Sequence, residues 1–196
     1  MIAPVRILAV SGSLRAGGSN NAVLDAARRL APAGVEVARY EGLRALPAFD
    51  PDLDTGGPAR LPPEAAALRA AVGRADAVLI SSPEYAHGMP GTLKNALDWL
   101  VGSVEFPGKP VGLLNTSPWS LHAPAQLAEV LTTMNARLVP EASATVALLG
   151  RPFDGAALAA DPALAAVVRG AVAALARAAG GGAHEIGRAS CRERVC

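Results

Sequence analysis

Ser81-Ser82-Pro83-Glu84-Tyr85-Ala86-His87-Gly88-Met89-Pro90-Gly91-Thr92-Leu93-Lys94-Asn95-Ala96-Leu97-Asp98-Trp99 is the stretch whose reading decides the fold. Ala77-Val78-Leu79-Ile80, just before it, is apolar without alternation and bounded by polar and turn residues, the pattern of a strand buried on both faces of a parallel sheet. Pro83, Gly88, Pro90 and Gly91 then forbid regular structure. Behind them Leu93, Ala96, Leu97 and Leu100 recur at helical spacing, with Pro90 and Gly91 where a helix would begin. A strand, a stiff loop and a helix in that order form the corner at which open α/β sheets bind ligands, although a sharp turn with no ligand has the same outline.

Working outward, Val5 to Val10 reads as a first strand, ending in Ser11-Gly12-Ser13-Leu14-Arg15-Ala16-Gly17-Gly18-Ser19-Asn20-Asn21. Ser19, Asn20 or Asn21 is expected to cap a helix that continues through Ala22, Val23, Ala26, Ala27 and Leu30. Val35 to Tyr40 alternates, as an edge strand would. Glu41 to Pro63 is a long Pro-, Gly- and Asp-rich segment of the kind that is usually functional or mobile. Pro63 opens a helix through Leu68, Ala71 and Val72, and Pro110 to Leu114 is a further buried strand. A helix is expected from about Ala123 to Arg137, a fifth strand over Ala142 to Leu149, and a closing helix from Pro162 to Ala179. Five strands alternating with helices require right-handed crossovers, hence a three-layer α/β/α sandwich on a parallel sheet, with no internal repeat and no second domain.

The chain has 196 residues, 51% of them hydrophobic but only 4% aromatic, so its core is built from Ala, Val and Leu. No apolar run reaches the roughly 18 residues of a membrane span, and residues 1–6 show no signal-peptide pattern, so a cytoplasmic protein is expected. Residues 185–196 break with everything before them and read as a translated adapter sequence or a disordered tail, leaving a single domain over residues 1–184. That tail contains both cysteines, Cys191 and Cys196. It also holds three of the 18 basic and two of the 17 acidic side chains, leaving 15 of each. A neutral body offers no electrostatic footprint for nucleic acid or an anionic membrane, so a small molecule is the expected partner. No metal site is expected: the domain lacks thiols, and the acidic run Asp50 to Asp54 lacks the glycine and terminal Glu of a calcium loop.

Parallel strands deliver their C-terminal loops to one rim, so residues 11–21, 81–91 and 115–122 should converge. In the first loop Ser11, Ser13, Ser19, Asn20 and Asn21 surround a helix N-terminus, and Arg15 adds a cation. Such a set suits a phosphate monoester dianion, or simply a well-capped helix. The glycines make neither a dinucleotide fingerprint nor a nucleoside-triphosphate loop. In the second, Pro83, Glu84, Tyr85, His87 and Gly88 combine apolar surface with backbone donors, as a flat heteroaromatic ring requires. Tyr85 either covers the ring edge or stands free. His87 has no nucleophile or carboxylate arranged with it for proton transfer, and no side chain is assigned a catalytic role. The third loop offers Thr116, Ser117, Trp119 and His122, Thr116 and Ser117 as ligands, with Trp119 either lining the pocket or anchoring the loop.

On these residues the sequence resembles the NAD(P)H-dependent FMN reductase family of flavodoxin-like proteins from Val5 to about Ala179. The motifs that carry the resemblance are Gly12-Ser13-Leu14-Arg15 with Ser19-Asn20, and Pro83-Glu84-Tyr85 with Pro90-Gly91-x-Leu93-Lys94-Asn95-Ala96-x-Asp98-Trp99. The resemblance implies strand order 2-1-3-4-5, the FMN phosphate in the first loop and the isoalloxazine against the second. It implies an oxidoreductase of ping-pong type, with hydride passing from NADPH or NADH to bound FMN and on to a quinone, flavin or similar small acceptor. An electron carrier or a flavin-binding module without turnover is the alternative, although carriers of that kind tend to be strongly acidic. Leu93 to Leu100 resembles the family's subunit contact, implying a homodimer or a dimer of dimers, or else is ordinary core. Three departures stand out: Gly18 where the family usually has Ser, Ala86 where it has Asn, and Ser117 to His122 in place of a glycine-rich motif.

Overall fold

The structure, a computed structural model, describes residues 3–54, 61–148 and 154–192, and the side chains of the last helix as far as residue 180. Its centre is a parallel sheet of β1 (Val5–Ser11), β2 (Val35–Arg39), β3 (Ala77–Ser81), β4 (Pro110–Asn115) and β5 (Arg137–Leu138), in the order β2-β1-β3-β4-β5, with β6 (Ala144–Thr145) also pairing with β4. This is the strand order that the resemblance implies. The chain reverses direction across the sheet between β1 and β3, whose register aligns Ser11 with Ser81, so the loops leaving these two strands start side by side.

Alternation in the central strands sorts their side chains into two cores. Leu8, Val10, Val78 and Ile80 face α2 (Pro63–Arg74), α3 (Gly91–Val101) and α4 (His122–Thr133); Ile7, Ala9, Ala77 and Leu79 face α1 (Ser19–Arg29), α5 (Gly155–Ala160) and α6 (Pro162–Arg192). Each large aliphatic side chain fully buried in this way stabilises the fold by about 1.5–3 kcal/mol. Helices on both faces make this the three-layer α/β/α sandwich, flavodoxin-like, that the alternation of elements requires.

Several local expectations are corrected. The N-cap of α1 is Gly18, without a side-chain cap, and Ser19, Asn20 and Asn21 form the first helical turn. Helix α4 stops at Thr133 because Asn135 adopts a left-handed φ of 58°, and Arg137, placed in that helix by its sequence, opens β5. The fifth strand is divided: β5 precedes a 3-10 turn at Pro140–Ala142 and β6 follows it. Pro140 has no N–H to donate to a ladder, so the edge pairs in two short pieces. Leu149 and residues 150–153 lie outside the described residues, and α5, which Asp154 caps by accepting from Ala157 N–H, was not foreseen.

By length and composition Pro162–Gly180 does qualify as a membrane-spanning helix, against the sequence reading. Its Val168, Ala171, Val172 and Leu175 are packed against the sheet, which accounts for their apolar character as one face of a core helix. The backbone of α6 continues to Arg192; the side chains of residues 181–192, and residues 193–196 entirely, lie outside the described set.

The long Glu41 to Pro63 segment is tied down where it is described. Asn95 donates to the Pro47 carbonyl (2.8 Å) and accepts from Phe49 N–H (2.7 Å), and the Trp99 indole also donates to Pro47 (2.9 Å). Phe49 meets the Trp99 ring edge-on, and Arg69 pairs with Asp54 at 2.7 Å while donating to the Trp99 carbonyl. Leu93, Leu97, Trp99 and Leu100 are core, so of the two readings of this helix the structure supports core packing for these four and not a subunit contact.

Gly112 in β4 is required by space. A Cβ there would lie 2.7 Å from the Ala142 carbonyl oxygen, backbone that cannot move aside, whereas Gly170 on the exposed side of α6 has nothing within 4 Å. Gly112→Ala is expected to destabilise the fold by about 1–3 kcal/mol. Gly170→Ala is expected to stabilise it by about 1 kcal/mol through helix propensity. Urea denaturation of the two variants should therefore shift in opposite directions.

Candidate functional site

The three loops meet at the C-terminal end of the sheet through buried polar side chains. Ser81 Oγ, at the end of β3, lies 2.9 Å from Asn20 Oδ1 and 2.7 Å from the Leu114 carbonyl. Thr116 Oγ1, just beyond β4, lies 3.5 Å from the same Asn20 oxygen and 2.9 Å from Ser19 Oγ. Asn20, Ser81 and Thr116 are all buried, so each needs the others as partners. First, second and third loops are thereby tied to one another at hydrogen-bond distance.

Within the first loop the sequence-derived candidates divide into two groups. Ser11 and Ser13 are buried and serve the loop itself: Ser13 N–H donates to Ser11 Oγ (3.2 Å) and Arg15 N–H to Ser13 Oγ (3.3 Å). Asn21 is likewise committed, donating to the Arg15 carbonyl at 2.6 Å and accepting from Arg39 at 3.0 Å. The Arg15 guanidinium, by contrast, is exposed and has no ion pair among the described residues. The N–H groups of Ser19 and Asn20 at the start of α1 also lack a protein partner among the described residues. With the Thr116 hydroxyl turned toward Asn20 Oδ1, Ser19 Oγ donates to Thr116, which fixes the Ser19 side chain against the third loop. Free amides at a helix N-terminus and an unpaired guanidinium form a donor set suited to a phosphate.

Gly12 and Gly18 keep that corner tight. A Cβ on Gly12 would sit 2.7 Å from Ser82 Oγ; one on Gly18 would sit 3.2 Å from the Arg15 carbonyl. The serine that family members usually carry at position 18 would thus be crowded here, and Ser19 supplies a hydroxyl from the next position.

The second loop is a two-residue hairpin. Tyr85 N–H donates to the Gly88 carbonyl (2.9 Å) and Gly88 N–H to that of Tyr85 (3.0 Å), with Ala86 and His87 both left-handed at φ 48° and 58°. Such backbone is uncommon outside glycine and is held only where surroundings determine it, often at functional sites. Two side chains that the sequence reading missed brace the second and third loops respectively. Gln126 Oε1 accepts from Met89 N–H at 2.8 Å, and Asn115 folds the third loop by donating to the carbonyls of Ser117 (2.6 Å) and Ser120 (3.2 Å). A polar residue ending a buried strand, as Asn115 does, is the one signal that pointed to it.

Glu84 braces the second loop against the third. Its Oε2 accepts from the N–H groups of His122 (2.8 Å) and Ala123 (2.9 Å), capping α4 from outside the helix. The Ala123 hydrogen bond contributes most, and with that of His122 and the nearby imidazoles it outweighs partial burial, holding the carboxyl below its ordinary range. Such a group supports the fold fully above the ordinary carboxylate range, and its support fades as pH falls through the lowered value. Pro83 and Ser117 lie half-buried beside this brace, with Ser117 Oγ accepting from Trp119 N–H at 3.3 Å. Tyr85 is 59% exposed and Trp119 81%, so Trp119 is no anchor in the core; the two aromatics stand on the rim with Leu121.

The strand order and the corner at the β1–β3 reversal define a flavodoxin-like α/β protein. The family model described as NADPH-dependent FMN reductase matches residues 5–148, and the chain belongs to that family. An NAD(P)H-dependent FMN reductase of Pseudomonas aeruginosa and a quinone reductase of Escherichia coli are each 38% identical over 117 residues, 58% of this chain and 60% of the relative. The chain thus matches these curated relatives over about 60% of their length. Among solved structures, the flavoenzyme NAD(P)H:(acceptor) oxidoreductase FerB of Paracoccus denitrificans superposes with a TM-score of 0.70 at 25% identity, covering 90% of this chain and 98% of that one.

If Glu84 is a brace, Glu84→Gln, which keeps an acceptor oxygen, should preserve slow amide exchange at His122 and Ala123. Glu84→Ala should speed exchange at both by removing the acceptor. Hydrogen-exchange mass spectrometry on peptides spanning 119–127 reads the difference.

Proposed function

We propose that the protein is an FMN-dependent NAD(P)H oxidoreductase that reduces a quinone, flavin or similar small acceptor. The observation that carries this reading is the junction of Asn20, Ser81 and Thr116, which sets a phosphate-type donor corner beside an exposed aromatic hairpin. The described residues fit FMN: the free N–H groups of Ser19 and Asn20 and the Arg15 guanidinium suit its phosphate, and the Pro83 to Gly88 hairpin offers backbone donors and a flat apolar edge to its ring. Tyr85, Trp119 and the backbone of His87, Gly88 and Ser117 would flank that ring and limit water around it. When bound, the flavin supplies two-electron redox chemistry between a nicotinamide and the acceptor.

The protein's contribution is binding and orientation, and no side chain is assigned proton transfer. The matches to reductases of FMN and quinone support the same reading. A cytoplasmic location and a homodimer belong to it, the latter supported by Val101 and Val104, which stand 63% and 88% exposed at the end of α3.

The Arg15 side chain is exposed and makes no ion pair among the described residues, and its hydrogen bonds to Ser13 and Asn21 run through its backbone, so Arg15→Ala should leave the melting temperature unchanged. Loss of its charge-assisted bonds should weaken FMN binding about 10- to 100-fold. Flavin fluorescence titration measures this, and NADPH oxidation with benzoquinone as acceptor tests turnover. Wild-type protein that cannot be loaded with FMN would overturn the proposal.

A further inference from the structure

Glu84, His87 and His122 come together although 35 positions separate the two histidines in sequence. One ligand atom from each lies within 4.8 Å of the others. The imidazoles of His87 and His122 stack at 4.3 Å with 20° between their planes, and none of their ring nitrogens has a hydrogen-bond partner among the described residues. Both rings therefore keep a lone pair for a cation. Glu84 uses Oε2 for the two N–H groups of α4, which fixes its carboxyl group and leaves Oε1 without a partner among the described residues, as in carboxylates oriented for coordination by neighbouring donors.

We propose that Glu84, His87 and His122 form a three-ligand site for a divalent transition cation of the Zn²⁺ class, bridging the second and third loops beside the ring-binding rim. Two imidazoles and one carboxylate favour a borderline ion that takes nitrogen and oxygen together over the hard Mg²⁺ and Ca²⁺, which prefer all-oxygen shells. Zinc–nitrogen and zinc–oxygen bonds of about 2.0–2.2 Å require the ligand atoms to approach one another further. Stacked rings hold their in-plane lone pairs nearly parallel, so the stack has to open on binding. The exposed positions of both histidines leave room for that rotation. Three protein ligands leave a fourth position to water, the arrangement of an open site. The left-handed backbone at His87 gains a purpose in this arrangement, since the hairpin turns that side chain toward the start of α4.

The bridge would join the loop carrying Tyr85 to the loop carrying Trp119, stiffening both sides of the rim. This goes beyond the redox reading and does not depend on it, because cation binding is measured directly, whether or not the protein turns over NADPH. The sequence reading expected no metal because it weighed thiols and the acidic run Asp50 to Asp54; three ligands at 84, 87 and 122 come together only through the fold.

The test is isothermal titration of ZnCl₂ into untagged, chelator-treated full-length protein, FMN-loaded where it retains flavin. Cys191 and Cys196 are replaced by Ser so that thiols in the tail cannot bind zinc. One Zn²⁺ per chain is expected. Since loss of an outer partner alone typically costs 10- to 100-fold, His87→Ala and His122→Ala should each weaken binding at least about tenfold. Glu84→Gln should also weaken it while keeping α4 capped, with far-UV circular dichroism confirming that each variant is folded. Imidazole resonances of both histidines should shift together on adding Zn²⁺ to the parent protein. Absence of saturable binding, or equal affinity in the parent and in folded His122→Ala, would overturn the proposal.

Discussion

Asn20, Ser81 and Thr116 are polar side chains buried at one end of the sheet, where their side-chain partners among the described residues are each other, the Leu114 carbonyl and Ser19. A buried polar group without a partner costs about 1–3 kcal/mol, so the three must stay together for the fold to persist. Because they sit at the ends of β1–α1, β3 and β4, satisfying them also brings three crossover loops to a common rim. The same requirement that stabilises the sheet end thus builds the corner where a mononucleotide would bind.

Around that knot, much of the polar sequence that looks functional is occupied with holding loops. Asn95 and Trp99 fix the Pro47–Phe49 segment, Asn21 and the paired serines shape the first loop, Gln126 and Asn115 hold the second and third, and Glu84 joins those two. Among the described residues of the rim, this bracing leaves free the Arg15 guanidinium, the first amides of α1, the His87 and His122 imidazoles, and the exposed Tyr85 and Trp119. Preorganisation of this kind lowers the ordering cost of binding, since the loops are already held where a ligand would need them.

The departures from the family pattern become intelligible in the same terms. Gly18 lies too close to the Arg15 carbonyl for a larger residue to enter without adjustment, and Ser19 takes the outward position against Thr116. Ala86 occupies a left-handed hairpin position, where Asn would be easier to accommodate, and the Tyr85–Gly88 bond pair holds it there. The altered third loop places His122 against His87, a contact that neither loop contains alone.

The sequence by itself determined the element order, the parallel sheet and the rim to which its loops point, because apolar runs, helical spacing and glycine–proline punctuation are local properties of the chain. It did not determine where α4 would stop, that Pro140 would divide the edge strand, or that Leu93 to Leu100 would face the core, since those depend on which surface each segment meets. Nor did it separate the bracing residues from the free ones: Ser13 and Arg15, or Glu84 and Tyr85, are equally polar neighbours in the chain. Only the tertiary structure decided that. Hydrogen-bond partners 38 and 39 residues away, as His122 and Ala123 are from Glu84, have no signature in local sequence, and packing alone selects them.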